Sequence, residues 1–328
     1  MSTFRALRVF NENDRITARV VDATLEELAA GEVVFRTAYS SVNYKDALAG
    51  TGTGGKIIRK YPLVGGIDAA GTVVSSSDAR FKPGDEVICT SYDFGVAHDG
   101  GYAQNCRVPA DWVVPLPKGL TAFEAMALGT AGYTAGLAVE LLELNGMTPA
   151  NGKVLVNGAT GGVASIAIDV LAGLGYAVTA VTGKDAEHGF LKTIGAAEIL
   201  SRNGLDLGKR PLEKTQWAAA FDSVGGEQLA WLTRTMQQSG IIASFGNAGG
   251  IELKTTVLPF LLRGIRLIGI DSAYTPMPLR RRIWERLATD LKPRHLADIA
   301  HVIALDELPD HFARILKGQA RGRAVVKL

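Results

Sequence analysis

The chain has 328 residues, 47% of them hydrophobic, and its 35 Lys and Arg against 33 Asp and Glu leave a formal net charge of +2. That length predicts two domains with a large buried core, and at near-zero charge no strong field favours nucleic acid or an anionic membrane as the main partner. Cys89 and Cys106 are too few for a disulfide framework and lack the paired spacing of structural zinc. With no charged leader before an apolar core, and apolar runs such as Val257 to Leu262 too short for a bilayer, the reading is a cytoplasmic protein.

The first third carries short β-like runs, Val33 to Tyr39, Ala70 to Ser75, Glu86 to Ser91 and Trp112 to Pro115, broken by Gly, Pro and Asp. This spacing predicts an irregular, mainly antiparallel β domain. Phe81-Lys82-Pro83-Gly84-Asp85 reads as the turn into the Glu86 run, with Pro fixing φ and Gly admitting positive φ. From about residue 122 long helical periods begin, and from Gly152 to Phe245 apolar strands alternate with helices, which predicts a parallel, doubly wound sheet. Its strand candidates are Lys153 to Asn157, Ala177 to Thr182, Ala218 to Asp222, Ile241 to Phe245 and Leu267 to Ile270. Val163, Ile166, Ala167, Val170, Leu171 and Leu174 form one apolar helical stripe. From about Thr275 the chain is expected to return to the first domain.

Gly158-Ala159-Thr160-Gly161-Gly162-Val163-Ala164 stands directly between an apolar strand and that helix. A diphosphate there would meet backbone N–H groups at a helix N-terminus, and small residues leave room for it. The motif alone would fit a structural glycine turn; its place inside a βαβ unit points to a dinucleotide. NAD-preferring folds end the second strand in Asp or Glu about 20 residues after the glycines. Here the tip reads Thr182-Gly183-Lys184, and Arg202 follows the next apolar run, which suits the 2′-phosphate of NADPH; Asp185 would oppose it if it pointed inward. Solvated surface charge is the bland alternative for Lys184 and Arg202. Phe221 to Gly226 and Phe245-Gly246-Asn247 close two further strands, so Asn247 is expected beside the nicotinamide half.

Gly66-Ile67-Asp68-Ala69-Ala70-Gly71, Phe81 to Val87, Gly129 to Ala135 and the glycine turn occur in the order of the medium-chain dehydrogenase/reductase superfamily, which the whole chain resembles. Within it, Asn43 to Leu48, Asp93-Phe94-Gly95 and His98 to Tyr102 are most similar to the NADPH-dependent acryloyl-CoA reductases, in the zinc-free, quinone-reductase-like branch. The resemblance implies an α/β protein. Residues 1–125 would form an irregular GroES-like catalytic β domain, 126–270 a Rossmann NADP-binding domain with a doubly wound parallel sheet, and 271–328 a segment returning to the catalytic domain. It also implies cofactor contacts at Tyr44, Thr134, Ala159, Thr160, Gly161, Gly162, Val163, Thr182, Gly183, Lys184, Arg202 and Asn247, with Tyr44 and Arg323 in catalytic roles, and a homodimer extended through the edge strand at Leu267 to Ile270.

The zinc branch carries a Cys before its first catalytic helix and a Gly-His-Glu motif; this chain has Ser40-Ser41-Val42-Asn43 and Gly66-Ile67-Asp68. Ile67 cannot ligate zinc, and no metal is expected. Without a Lewis acid, simple alcohol dehydrogenation is disfavoured, whereas an enone or enoyl thioester already has an electrophilic β-carbon. Tyr44 is the first candidate for hydrogen-bond or proton donation, with stacking or packing as its alternative. Asn43, Lys45 and Asp46 share its segment, and Asp46 could equally hold the turn. Arg323, before the final strand-like run, could bind a thioester oxygen or a CoA phosphate, as could Arg280-Arg281-Arg282; each could also be an ordinary solvated charge. The expected activity is NADPH-dependent reduction of the carbon-carbon double bond of acryloyl-CoA to propionyl-CoA, an acyl-CoA being the small-molecule substrate. A quinone or enone reductase and a non-catalytic NADPH-binding module are the alternatives.

Overall fold

The computed structural model describes residues 3–328. They divide into two units: the described residues up to Ala131 with Ser272–Ala288 and Ala300–Leu328, and Gly132–Asp271 with Thr289–Ile299.

In the first unit, Phe4–Glu12 and Arg15–Ala23 form an antiparallel hairpin whose two-residue turn, Asn13 and Asp14, has φ of 53° and 63°. Positive φ at both turn positions matches the right-handed twist of the strands, and Asn and Asp tolerate it. A seven-stranded sheet follows the path Ala300–Ala304, Arg323–Lys327, Val33–Ser41, Asp68–Ser76, Glu86–Thr90, Val113–Pro115, with Asn105–Val108 also pairing Val33–Ser41. The register sets Val325 opposite Ser41, so the far end of the chain is hydrogen-bonded beside the segment that leads into the helix Tyr44–Thr51. Strands read from the sequence at Val33, Ala70, Glu86 and Trp112 are present, the last beginning at Val113 because Ala110–Trp112 is a 3-10 turn.

The second unit holds six parallel strands in the order Glu198–Ser201, Val178–Thr182, Val154–Val156, Trp217–Asp222, Met236–Ser244, Arg266–Gly269. Numbered along the chain this is 3-2-1-4-5-6, the dinucleotide-fold order, whose direction reverses between the first and fourth strands. The helix Gly162–Gly173 carries the expected stripe, but Ala164 to Leu171 are buried without a break, Ser165 and Asp169 included. Its apolar stripe is only part of a helix covered on several sides. Asp169 is held there by His295, whose backbone N–H donates to Oδ2 at 2.7 Å while Nδ1 lies 3.1 Å from Oδ1. With Leu296 and Ile299 buried, these contacts keep residues 289–299 in this unit, whereas the sequence reading gave all of 271–328 to the first.

The helix Ala122–Leu144 is long and apolar enough to span a bilayer by composition, a feature missed in the sequence, where shorter runs were weighed; 89% of its apolar window is buried within the protein. Gly129 interrupts it at φ 52°, ψ −155°.

Candidate functional site

The glycine turn of the second unit is built as a cradle. Gly158 has φ 58°, and a Cβ on it would strike the Ser223 hydroxyl; Ala159, fully buried, donates its N–H to Val181 O at 3.1 Å. Gly161 is the N-cap residue, its own N–H donating to Gly158 O at 2.8 Å, and Gly162 and Val163 open the helix, whose first N–H groups have no partner within it. Thr160 is buried in the same turn. At the tip of the second strand, Thr182 Oγ1 accepts the Lys184 N–H at 3.1 Å, and Arg202 N–H donates to Thr182 O at 2.6 Å. The Arg202 guanidinium lies over Gly183, where a Cβ would sit 2.7 Å from it. Partial burial lowers the Lys184 pKa from its usual value. Asp185 is turned aside: its carboxylate accepts the Ser201 hydroxyl at 3.4 Å and lies 3.6 Å from His188 Nε2. The structure thus brings Ala159 to Val163, Thr182 to Lys184 and Arg202 together at the carboxyl ends of adjoining strands, an arrangement that fits a diphosphate and a phosphorylated ribose. Asn247 is exposed in the loop packed against Gly225, and Thr134 is buried on the helix Ala122–Leu144.

In the first unit a buried polar hub surrounds Asp68. Its carboxylate accepts the Ser41 hydroxyl at 2.7 Å, Asn43 Nδ2 at 2.7 Å, the Thr130 N–H at 2.9 Å and the Thr130 hydroxyl at 2.5 Å, and lies 3.8 Å from the Arg323 guanidinium. Gly129 is required here, since a Cβ would sit 2.5 Å from Asp68 Oδ2 and 2.6 Å from Ser41 Oγ.

Arg323, expected from the sequence at a ligand, lies in the interior. The residue is 2% exposed, and its guanidinium donates to Ala127 O (3.0 Å), Val42 O (2.7 Å), Asn43 Oδ1 (3.1 Å) and Ser41 Oγ (2.7 Å). Its planar fork is used inside the protein, holding the chain just before the helix Tyr44–Thr51. That helix is capped reciprocally: Asp46 accepts the Asn43 N–H at 2.8 Å and the Ile67 N–H at 3.0 Å. Asp46 therefore holds the turn, and burial together with the Asp68 charge raises its pKa to about 7. Tyr44, at the first helical position, is 44% exposed, so its phenol is presented by a segment fixed from beneath. Ser41, Thr130 and Gly129 lie in segments the sequence marks, Ser40 to Asn43 and Gly129 to Ala135, but nothing local to those segments points to a shared hub around Asp68.

Arg280 is likewise buried rather than available to a CoA phosphate. Its guanidinium lies 4.4 Å from the Tyr92 ring centroid and donates to Thr90 O and the carbonyls of Ser272 and Ala273, while Arg281 and Arg282 are exposed. Tyr92 in turn stacks on Trp112 at 5.7 Å.

Residues 29–118 match the family described as alcohol dehydrogenase GroES-like domain, and 162–288 the family described as zinc-binding dehydrogenase. The chain is 50% identical to the acrylyl-CoA reductase AcuI of Ruegeria pomeroyi, over 96% of each chain. It is 49% identical, over the full length of both, to a Bacillus subtilis protein named "Putative quinone oxidoreductase YhfP". The chain belongs to the medium-chain dehydrogenase/reductase superfamily, in its quinone-reductase-like branch. The yhdH oxidoreductase of Salmonella enterica, a member solved in complex with NADP, superimposes with a TM-score of 0.96 at 46% identity over 99% of both chains. The solved Bacillus yhfP, with NAD bound, gives 0.97 at 48% identity over the whole of both. As a member of this superfamily the chain is an oxidoreductase. The zinc of the second family's name does not fit the residues present. Where a metal motif would stand, Ile67 is a buried aliphatic and Asp68 is shared with a guanidinium, and among the described residues no three His, Cys, Asp or Glu side chains are grouped to hold an ion.

Proposed function

We propose that this superfamily member reduces the carbon-carbon double bond of acryloyl-CoA, or a close enoyl thioester, to the saturated acyl-CoA with NADPH and without zinc. The observation that carries the substrate is the 50% identity, over 96% of each chain, to an acrylyl-CoA reductase. The cofactor rests on the Thr182, Lys184 and Arg202 tip, where a hydroxyl, an ammonium and a guanidinium suit a 2′-phosphate and no Asp or Glu ends the strand.

When bound, NADPH supplies the hydride that attacks the β-carbon. The chain's own residues have the remaining work. The N–H groups at Gly162 and Val163 hold the diphosphate, with Ala159, Thr160 and Gly161 shaping the turn; Thr182, Gly183, Lys184 and Arg202 select the phosphorylated ribose, and Asn247 and Thr134 contact the nicotinamide side. Tyr44 donates a hydrogen bond to the thioester enolate or the proton to its α-carbon. Asn43 and Asp46, tied to Asp68 and Arg323, fix that phenol and are positioning groups.

A second reading, reduction of a quinone or small enone, is favoured by the name of the Bacillus relative. The test is NADPH oxidation by chelator-treated protein offered acryloyl-CoA, crotonyl-CoA or a benzoquinone, each repeated with NADH. The proposal expects turnover concentrated on acryloyl-CoA with NADPH; turnover with quinone alone would overturn it.

We also propose a cytoplasmic homodimer. The edge strand Arg266–Gly269 has one open side, and Val257, Leu261 and Leu262 beside it are 65%, 74% and 59% exposed. Light scattering should give a dimer that Leu261→Asp converts to monomer; a monomeric wild type would overturn this.

A further inference from the structure

Asp222, the last residue of the fourth strand in the second unit, is fully buried and has no cationic partner among the described residues. Its Oδ1 accepts Asn157 Nδ2 at 2.6 Å, the Val224 N–H at 3.2 Å and the Gly225 N–H at 3.1 Å; Oδ2 accepts the Ser244 hydroxyl at 3.0 Å and the Gly225 N–H at 3.2 Å. The orientation of Asn157 is set independently, because its Oδ1 must accept the Ser223 N–H at 2.7 Å, which leaves Nδ2 for Asp222. Every neighbour therefore donates. A carboxylate accepts such a set completely, whereas a neutral acid could place its proton only on the Ser244 hydroxyl, which would then cease to donate.

The position has chemical meaning. Asn157 follows the first strand, Asp222 ends the fourth and Ser244 ends the fifth, so the Asn157–Asp222 bond bridges the place where strand order reverses. Ligands in such sheets lie outside the carboxyl ends at that reversal. A buried carboxylate that is hydrogen-bonded but not neutralised projects a negative field into this region, and low dielectric preserves it. The oxidised nicotinamide ring is a cation and the reduced ring is neutral.

We infer that Asp222 is an electrostatic positioning residue that favours the oxidised over the reduced nicotinamide. It lowers the reduction potential of the bound couple and makes the bound reduced cofactor a stronger hydride donor. This rests on the NADPH reading above. Hydride departure, two electrons with one proton, creates the ring's positive charge, so the field acts on the step as well as on the equilibrium.

The test is equilibrium binding of NADP⁺, NADPH and adenosine 2′,5′-bisphosphate, which lacks the nicotinamide, to wild type, Asp222→Asn and Ser244→Ala. Asp222→Asn is nearly isosteric: its Oδ1 keeps the Asn157, Val224 and Gly225 donors while its Nδ2 turns to the Ser244 hydroxyl. It should weaken NADP⁺ about tenfold relative to NADPH, equivalent to roughly a 30 mV rise in the bound potential, and leave the bisphosphate unchanged. Ser244→Ala withdraws a donor from the carboxylate and should move the ratio the opposite way, about two- to threefold. Parallel weakening of all three ligands, or an unchanged NADP⁺ to NADPH ratio in either variant, would overturn the inference. Should wild type bind the bisphosphate and neither dinucleotide, or none of the three, the cofactor reading fails and takes this inference with it.

Discussion

Replacing Arg323 by Met, which keeps the length of the stem and removes the fork, separates a structural role from ligand binding. In the wild type the guanidinium satisfies the carbonyls of Ala127 and Val42, Asn43 Oδ1 and Ser41 Oγ, and stands 3.8 Å from a fully buried Asp68. Losing it leaves an uncompensated carboxylate and orphaned carbonyls in the interior, and breaking a buried pair in this way costs about 3–5 kcal/mol. At about 4 kcal/mol the unfolding midpoint of a unit this size should fall by roughly 8–16 °C. Scanning calorimetry measures the fall, and Asp68→Asn in the same chain should restore part of it, since the two residues are directly coupled. Activity remaining below the new midpoint should keep its KM for acryloyl-CoA within about twofold, because burial keeps the fork from the substrate. A midpoint moved by less than about 2 °C, together with a KM raised tenfold or more, would refute the reasoning and return Arg323 to the ligand.

Two buried groups make opposite contributions to stability between pH 4 and 7. Asp46, raised from 3.8 to about 7 by burial and the Asp68 charge, contributes stability that is full below its unfolded value and lost as pH rises through the folded one. His311, lowered from 6.5 to about 4 by burial and by His301, Arg314 and Arg323, contributes stability that is full above 6.5 and lost as pH falls. The midpoint change from pH 7 to pH 5 should thus become more negative in Asp46→Asn and less negative in His311→Gln; shifts of the same sign would contradict the assignment. Tyr44→Phe should reduce kcat about a hundredfold with the melting midpoint unchanged, and unaltered turnover would remove the phenol from the chemistry. Arg202→Ala should weaken NADPH by about tenfold or more and NADH by less than about twofold, measured by fluorescence titration; equal losses would mean that the guanidinium does not read the 2′-phosphate.

The second unit was legible in the sequence because its signals are local: apolar runs such as Val178 to Thr182, a glycine turn between strand and helix, and small residues after each strand. The Phe4–Glu12 and Arg15–Ala23 hairpin was not, since the second strand has a weak burial contrast, half-buried through most of its length. The interior partners of Arg323 and Arg280 were not legible for a different reason. A lone arginine before a strand or on a helix looks solvated until the fold supplies its partners, and Asp68, Ser41 and Thr90 lie far away in the chain. Asp222 sat in a recognised turn, yet its lack of a cationic partner among the described residues is a three-dimensional fact.

The central claim is that hydride from NADPH goes to the β-carbon of the thioester. With NADPH deuterated at C4 on the transferred face and acryloyl-CoA in ordinary water, mass spectrometry and NMR of the product should find propionyl-CoA with one deuterium at the β-carbon and none at the α-carbon. Consumption of the deuterated cofactor without labelled propionyl-CoA, or no reaction with this thioester at all, would contradict it.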